Sequence, residues 1–170
     1  MHPFCPNGAN VIYRNSADRF LVVQDIKTMR WQLPGGGVEK GESFDTTAAR
    51  ELFEETGYCI FEDELVRMAD FKQKARNPTT GELVDGICRL YVANRLYGEL
   101  RREPNSEIAR ARFMSYDEIM DMDRRDHFNI GYIRMILHYL RWRNGLTPVS
   151  FTARLAEKIE EMLPMTYVLV

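Results

Sequence analysis

Three glutamates, Glu51, Glu54 and Glu55, are the residues of this chain whose type and spacing best suit them to chemistry. If residues 43–56 form a helix, a turn of about 100° per residue places all three within roughly 100° of arc, while Leu52 and Phe53 point elsewhere. Like charges three and four residues apart cost an isolated helix about 0.2–0.5 kcal/mol per pair. Glu54 and Glu55 also fall at the negative end of the helix dipole, the unfavourable end for a carboxylate. A bound divalent cation would remove both penalties. Carboxylate oxygens, with a backbone carbonyl and waters, are the ligand set that Mg²⁺ or Mn²⁺ prefers. Taken alone, such a face is also what a solvated helix surface presents, so its surroundings decide.

The helix has the punctuation it needs: Ser43 is placed as its N-cap and Gly57 just past its end, with Ala49, Leu52 and Phe53 as the apolar stripe. Ahead of it, Pro34-Gly35-Gly36-Gly37 implies unusual backbone angles or the close approach of another group. Residues 11–14 and 20–24 are short β-branched or aromatic runs around Asn15-Ser16-Ala17-Asp18, which predicts a hairpin. Residues 65–74 and 83–97 read as strands joined across Asn77-Pro78-Thr79-Thr80-Gly81, and residues 108–115 as another. Helical spacing follows over residues 129–143, and again through Leu155, Ala156, Ile159, Met162 and Leu163. Strands interleaved with helices predict an α/β fold in which helices cover a mixed sheet.

With 170 residues, 45% of them hydrophobic and 28% charged, the chain can build one domain around its own core without disulfide staples. Cys5, Cys59 and Cys88 are odd in number and form no C-x-x-C pair, which excludes a disulfide framework and a zinc site and points to a reducing cytoplasm. No apolar run approaches the ~20 residues of a membrane span, and residues 1–8 do not read as a secretory leader. Against 23 Lys and Arg stand 25 Asp and Glu, a net charge of −2 that excludes a strongly basic nucleic-acid binder. The balance hides an arrangement. Residues 39–57 hold six acids against two bases, a local charge of −4, so the rest of the chain sums to +2.

Residues 36–58 read G-G-V-E-K-G-E-S-F-D-T-T-A-A-R-E-L-F-E-E-T-G-Y. This resembles the Nudix box, G-x5-E-x7-R-E-U-x-E-E-x-G-U with U aliphatic. Gly36, Glu42, Arg50, Glu51, Leu52, Glu54, Glu55 and Gly57 are in register, and Tyr58 at the last U position is the one departure. At ordinary residue usage a chance match is on the order of 10⁻⁹ per start site. More loosely, Trp31 to Gly36 resembles the lead-in to the box, and Glu107 with residues 112–118 resembles the family's late acidic loop and strand.

The resemblance implies an α/β/α sandwich, here a hydrolase domain over residues 1–148; residues 149–170 lie outside it, and their own amphipathic spacing predicts a helical extension packed on the same domain. The resemblance makes Glu51, Glu54 and Glu55 the metal ligands, with the backbone carbonyl of Gly35, and Mg²⁺ the cofactor, with Mn²⁺ as a substitute. Arg50 becomes a structural residue that orients a carboxylate. Glu42 either pairs with Arg50 or reaches a second cation, the pairing being preferred; Gly36 and Gly57 are structural. Glu54 or Glu107 takes a proton from the attacking water, with Glu103 competing for the place of Glu107. The reaction implied is hydrolysis of a phosphoanhydride in a nucleoside diphosphate linked to another moiety, first of all a nucleoside triphosphate or related nucleotide. Diphosphoinositol polyphosphate, dinucleoside polyphosphate and ADP-ribose hydrolysis are the alternatives, as is a nucleotide-sensing module without turnover. Trp31, Arg30, Lys27 and Lys72 are the candidate substrate contacts. The expected partner is a small diphosphate compound, with no nucleic-acid polymer and no membrane; a homodimer contact is the second use open to the extension.

Overall fold

The computed structural model describes residues 4–145 and 167–169. Among these residues are ten strands, three helices and one 3-10 turn, in two sheets and a small two-stranded ribbon. The larger sheet has the order β10 (Tyr167–Leu169), β6 (Leu65–Arg76), β7 (Leu83–Ala93), β1 (Gly8–Tyr13) and β4 (Gly35–Gly37). It is mixed, because β1 runs parallel to β7 and antiparallel to β4. The smaller sheet has the order β3 (Trp31–Gln32), β2 (Phe20–Asp25) and β9 (Ile108–Met114), all antiparallel. β5 (Tyr58–Cys59) and β8 (Tyr97–Gly98) make the ribbon.

The layers follow from period-two alternation along the strands. Ile12, Phe20, Val22, Leu90 and Val92 face one core, shared with Ile133, Met135 and Ile136 of α3 (Ile130–Arg143) and Ile119 of α2 (Tyr116–Arg124). Their neighbours Val11, Leu21, Tyr91 and Ala93 face the other core, against Ala48 and Leu52 of α1 (Phe44–Thr56). The protein is thus an α/β fold, a mixed sheet flanked by helices. Stretches buried on both faces read as continuous apolar runs, which is why residues 11–12, 20–23 and 90–93 stand out in the sequence.

The structure departs from the sequence reading in five places. The turn at Asn15–Asp18 exists, with the Asn15 side chain accepting from the Ala17 and Arg19 amides, but the flanking strands are not a hairpin. A single Arg14–Phe20 bridge joins them, because the edges of β1 are taken by β4 and β7 and those of β2 by β3 and β9. The strand expected over 83–97 ends at Ala93, and Tyr97 begins β8. α2 follows β9 at once, started by Ser115 and Glu118, whose side chains cap each other's backbone; S-x-x-E was its signal in the sequence. On α1 Phe53 is 49% exposed, so the buried stripe runs through Ala48 and Leu52 instead. Within the expected extension, Tyr167–Leu169 is a strand paired with β6, and residues 146–166 lie outside the described residues. No helix among the described residues is long and apolar enough to cross a membrane.

Candidate metal-binding and hydrolytic site

Two local devices set the geometry of α1. The Ser43 hydroxyl accepts from the Thr46 amide at 3.0 Å, and Gly57, at φ 81°, ends the helix by donating its N–H to Phe53 O at 2.8 Å. Gly57 also lies against the next loop, since a Cβ there would come within 2.8 Å of Glu99 O. Strand β4 runs beside the helix. A Cβ on Gly35 would stand 2.2 Å from Ala9 O, and one on Gly36 would stand 2.3 Å from Glu51 Oε1. The glycines therefore answer to close approach: the space of the missing Gly36 side chain holds the Glu51 carboxylate.

The three box glutamates meet different surroundings. Glu55 is 4% exposed and accepts from Gly35 N–H at 2.8 Å; Glu51 is 8% exposed. Burial pushes both carboxyls above their ordinary range, and the Gly35 hydrogen bond and Arg50 respectively offset part of that. Glu54 is half exposed. Arg50 stands among them: Nη1 donates to Glu51 Oε1 at 2.8 Å and to Glu54 Oε2 at 3.0 Å, while Nε and Nη2 clamp Glu42 at 2.7 and 3.0 Å. Nη2 also donates to Gly37 O at 3.1 Å. The clamp, with help from the Glu39 amide and the Thr47 hydroxyl, holds the Glu42 carboxyl down at about 2. Glu42 is thus engaged by Arg50 rather than left free for a cation.

Two residues from elsewhere in the chain join this group. Glu107 lies near enough to raise the Glu51 and Glu55 carboxyls, and Asp25, at the end of β2, acts in the same sense on Glu55. The Glu107 loop is tied down twice: Ile26 N–H donates to Glu107 O at 2.8 Å, and Asn105 bridges Glu54 O to the Glu107 and Ile108 amides. Asp25 and Asn105 were not singled out in the sequence. Their signals were weak ones, a carboxylate and an amide in turn positions that accept from amides two and three residues on.

The expected substrate contacts do not converge on the acidic group. Trp31 is 6% exposed and packs in the core, with Arg112 lying over its ring at 4.9 Å. Arg30 pairs with Asp126, and Lys27 is exposed in the turn after β2. Lys72 stands on β6, separated from β4 by β7 and β1. Among the described residues no three acidic, histidine or cysteine side chains close around one point; Glu42, Glu51 and Glu54 are each engaged by the Arg50 guanidinium. The donor set itself, carboxylates backed by a glycine-rich strand, is all oxygen and suits a hard divalent cation.

The chain is 27% identical over 163 residues to nucleoside diphosphate-linked moiety X motif 6 of Homo sapiens, an alignment covering 94% of this chain and 46% of that protein. It is 39% identical over 66 residues to an RNA pyrophosphohydrolase of Pelagibacter ubique, covering 38% of this chain and 40% of the relative. The chain spans less than half the length of these curated relatives. Among solved structures, a NUDIX hydrolase from Nitrosomonas europaea superposes with a TM-score of 0.63 at 19% identity, over 80% of this chain and 88% of that one. The NUDIX domain of Shewanella oneidensis NrtR, in complex with ADP ribose, does so with a TM-score of 0.61 at 16% identity, over 82% and 88%. At those identities the likeness is one of fold. Residues 6–135, which carry the box helix, the glycine strand and the Glu107 loop, match the NUDIX domain model, and the chain belongs to the Nudix family.

Proposed function

We propose that this protein hydrolyses a phosphoanhydride bond in a nucleoside diphosphate linked to another moiety, a nucleoside triphosphate or related nucleotide, with Mg²⁺ or Mn²⁺ as cofactor. The observation that carries the reading is the burial of Glu51 and Glu55 beside β4, with Glu54 tied to Glu51 through Arg50, Glu107 and Asp25 in the field of the buried pair, and Arg50 braced on Glu42. Buried carboxylates that raise one another's proton affinity are costly without a counter-charge, and a cation held by Glu51, Glu55, Glu54 and the Gly35 carbonyl would supply one. When bound, such a cation neutralises the diphosphate and makes phosphorus more open to attack.

The rest falls to the protein's own groups. Arg50 keeps the Glu51 and Glu54 carboxylates pointed at one region, and Gly36 leaves room for the first of them. Glu54, half exposed and next to the buried pair, takes the proton of the attacking water, with Glu107 the alternative base. The water oxygen bonds to phosphorus as the bridging P–O bond breaks, and the leaving phosphate departs with that electron pair. The names of the human and Pelagibacter ubique relatives support a substrate built on a nucleoside diphosphate or a pyrophosphate. Activity in the cytoplasm fits the three free cysteines.

The test is a product-resolved panel of nucleoside triphosphates, ADP-ribose, dinucleoside polyphosphates and diphosphoinositols with Mg²⁺ or Mn²⁺, run on the wild type and on Glu54→Gln. Turnover of at least one compound by the wild type is expected, lowered about 100-fold or more in the variant with its melting curve preserved. Release of neither phosphate nor pyrophosphate from any compound would sink the hydrolase reading. Near-normal turnover by Glu54→Gln would remove Glu54 as the base.

A further inference from the structure

Beside the Glu107 loop opens a groove of about 750 Å³, lined by Arg101, Arg102, Arg110 and Arg112 over an apolar floor that includes Ile26 and Met29. The volume is that of a small-molecule site, and no carboxylate lines it. What sets these arginines apart is the absence of partners. Among the described residues, Arg101, Arg102 and Arg110 have no side-chain hydrogen bond, ion pair or ring contact, and Nε of Arg101 is buried without an acceptor. Arg112 lies over the Trp31 ring and feels Glu118, without a direct ion pair. The other described arginines are all engaged, most of them with a carboxylate.

Four like charges facing one concavity repel one another and keep their hydrogen-bonding capacity unspent. That arrangement is complementary to a multiply charged anion, and the planar guanidinium is the side chain best matched to phosphate oxygens. The groove also begins where the acidic site ends. Arg101 N–H donates to Thr56 O at 2.7 Å, hanging its loop on the end of α1 one residue past Glu55, and Ile26 holds Glu107 O from the other side.

We propose that this groove is a subsite for phosphate groups outside the bond that is cut, so that the substrate carries a chain of three or more phosphates rather than a diphosphate ending in a neutral sugar. The inference rests on reading the acidic group as a phosphoanhydride hydrolase. Phosphates beyond the scissile pair lie against the arginines, and the apolar floor packs against an uncharged part of the same molecule.

The experiment compares the full chain with its Arg102→Gln/Arg110→Gln variant, two exposed positions whose loss breaks no contact. For a nucleoside triphosphate with Mg²⁺, kcat/KM should fall about tenfold or more through KM with kcat nearly unchanged, while a nucleoside diphosphate sugar changes by less than about twofold. Separately, binding of inorganic tripolyphosphate to protein freed of metal by chelation, followed by calorimetry, should weaken by about tenfold in the variant and remain unchanged in Arg124→Gln, which pairs with Asp121 on α2. Equal losses for both substrates, no loss for either, or tripolyphosphate binding that survives the double substitution would each overturn the subsite. A wild type that hydrolyses neither compound, yet loses tripolyphosphate binding on substitution, would keep the subsite and remove the hydrolase reading.

Discussion

At the scale of single residues, the acidic site is organised around one cation of its own. Arg50 makes five hydrogen bonds, reaching three glutamates and the Gly37 carbonyl, and so offsets the repulsion that the helix face would otherwise carry. Gly36 is the complementary device, an absence of side chain that Glu51 fills. Gly36→Ala would place a methyl 2.3 Å from Glu51 Oε1. The atom in the way is the tip of a side chain, so the carboxylate gives way and the backbone does not. Denaturation midpoints should then show a loss of no more than about 1 kcal/mol, whereas the proposed turnover should drop by roughly tenfold or more because the carboxylate proposed as a metal ligand is displaced. Unchanged turnover would show that the place of the Glu51 carboxylate is unimportant.

At the scale of elements, the long β6–β7 pair is braced by an ion pair set directly in register. Asp70 and Arg89 face each other across the ladder, joined through Nε and Nη2 at 2.7 and 2.9 Å. The same guanidinium lies 4.2 Å over the Phe44 ring, so one side chain links β7 to the first turn of α1. Arg89 holds the Asp70 carboxyl below its ordinary value of 3.8. Since that proton affinity is lower folded than unfolded, the stabilisation is full above 3.8 and is lost as pH falls through the folded-state value. Asp70→Asn should therefore cost about 1–3 kcal/mol in urea unfolding near neutral pH. Wild type and variant should converge in strong acid; a gap that persists there would assign the loss to packing rather than charge.

At the scale of the whole molecule, charge is sorted by place. An acidic group at the end of α1 adjoins a basic groove, within a chain whose net charge is only −2. Burial raises the Glu51 and Glu55 carboxyls above 4.5, so the metal-free protein binds their protons more tightly folded than unfolded. The contribution of these two groups to stability is then full below 4.5 and is lost as pH rises through the raised values. A divalent cation needs those carboxylates ionised, so its stabilising effect should grow over the same range. Melting midpoints with and without millimolar MgCl₂ check this: the shift should be larger at pH 8 than at pH 5 and vanish in the Glu55→Gln variant. A shift independent of pH and of Glu55 would place the cation elsewhere.

The sequence by itself determined the box helix, its two caps, the glycines before it and the shared face of its glutamates, because helix geometry couples residues three and four apart and caps act within one turn. The family and the α/β class followed from those same local spacings. The tertiary structure alone decided that β1 and β2 part into different sheets, since strand partners are chosen by edges and faces contributed from distant segments. It alone brought Asp25 to the helix, turned Trp31 into core, and removed Lys72 to a far strand. The unpaired arginines belong to the same class of fact. A sequence shows where each charge sits, but only the fold shows which charges have been left without a partner.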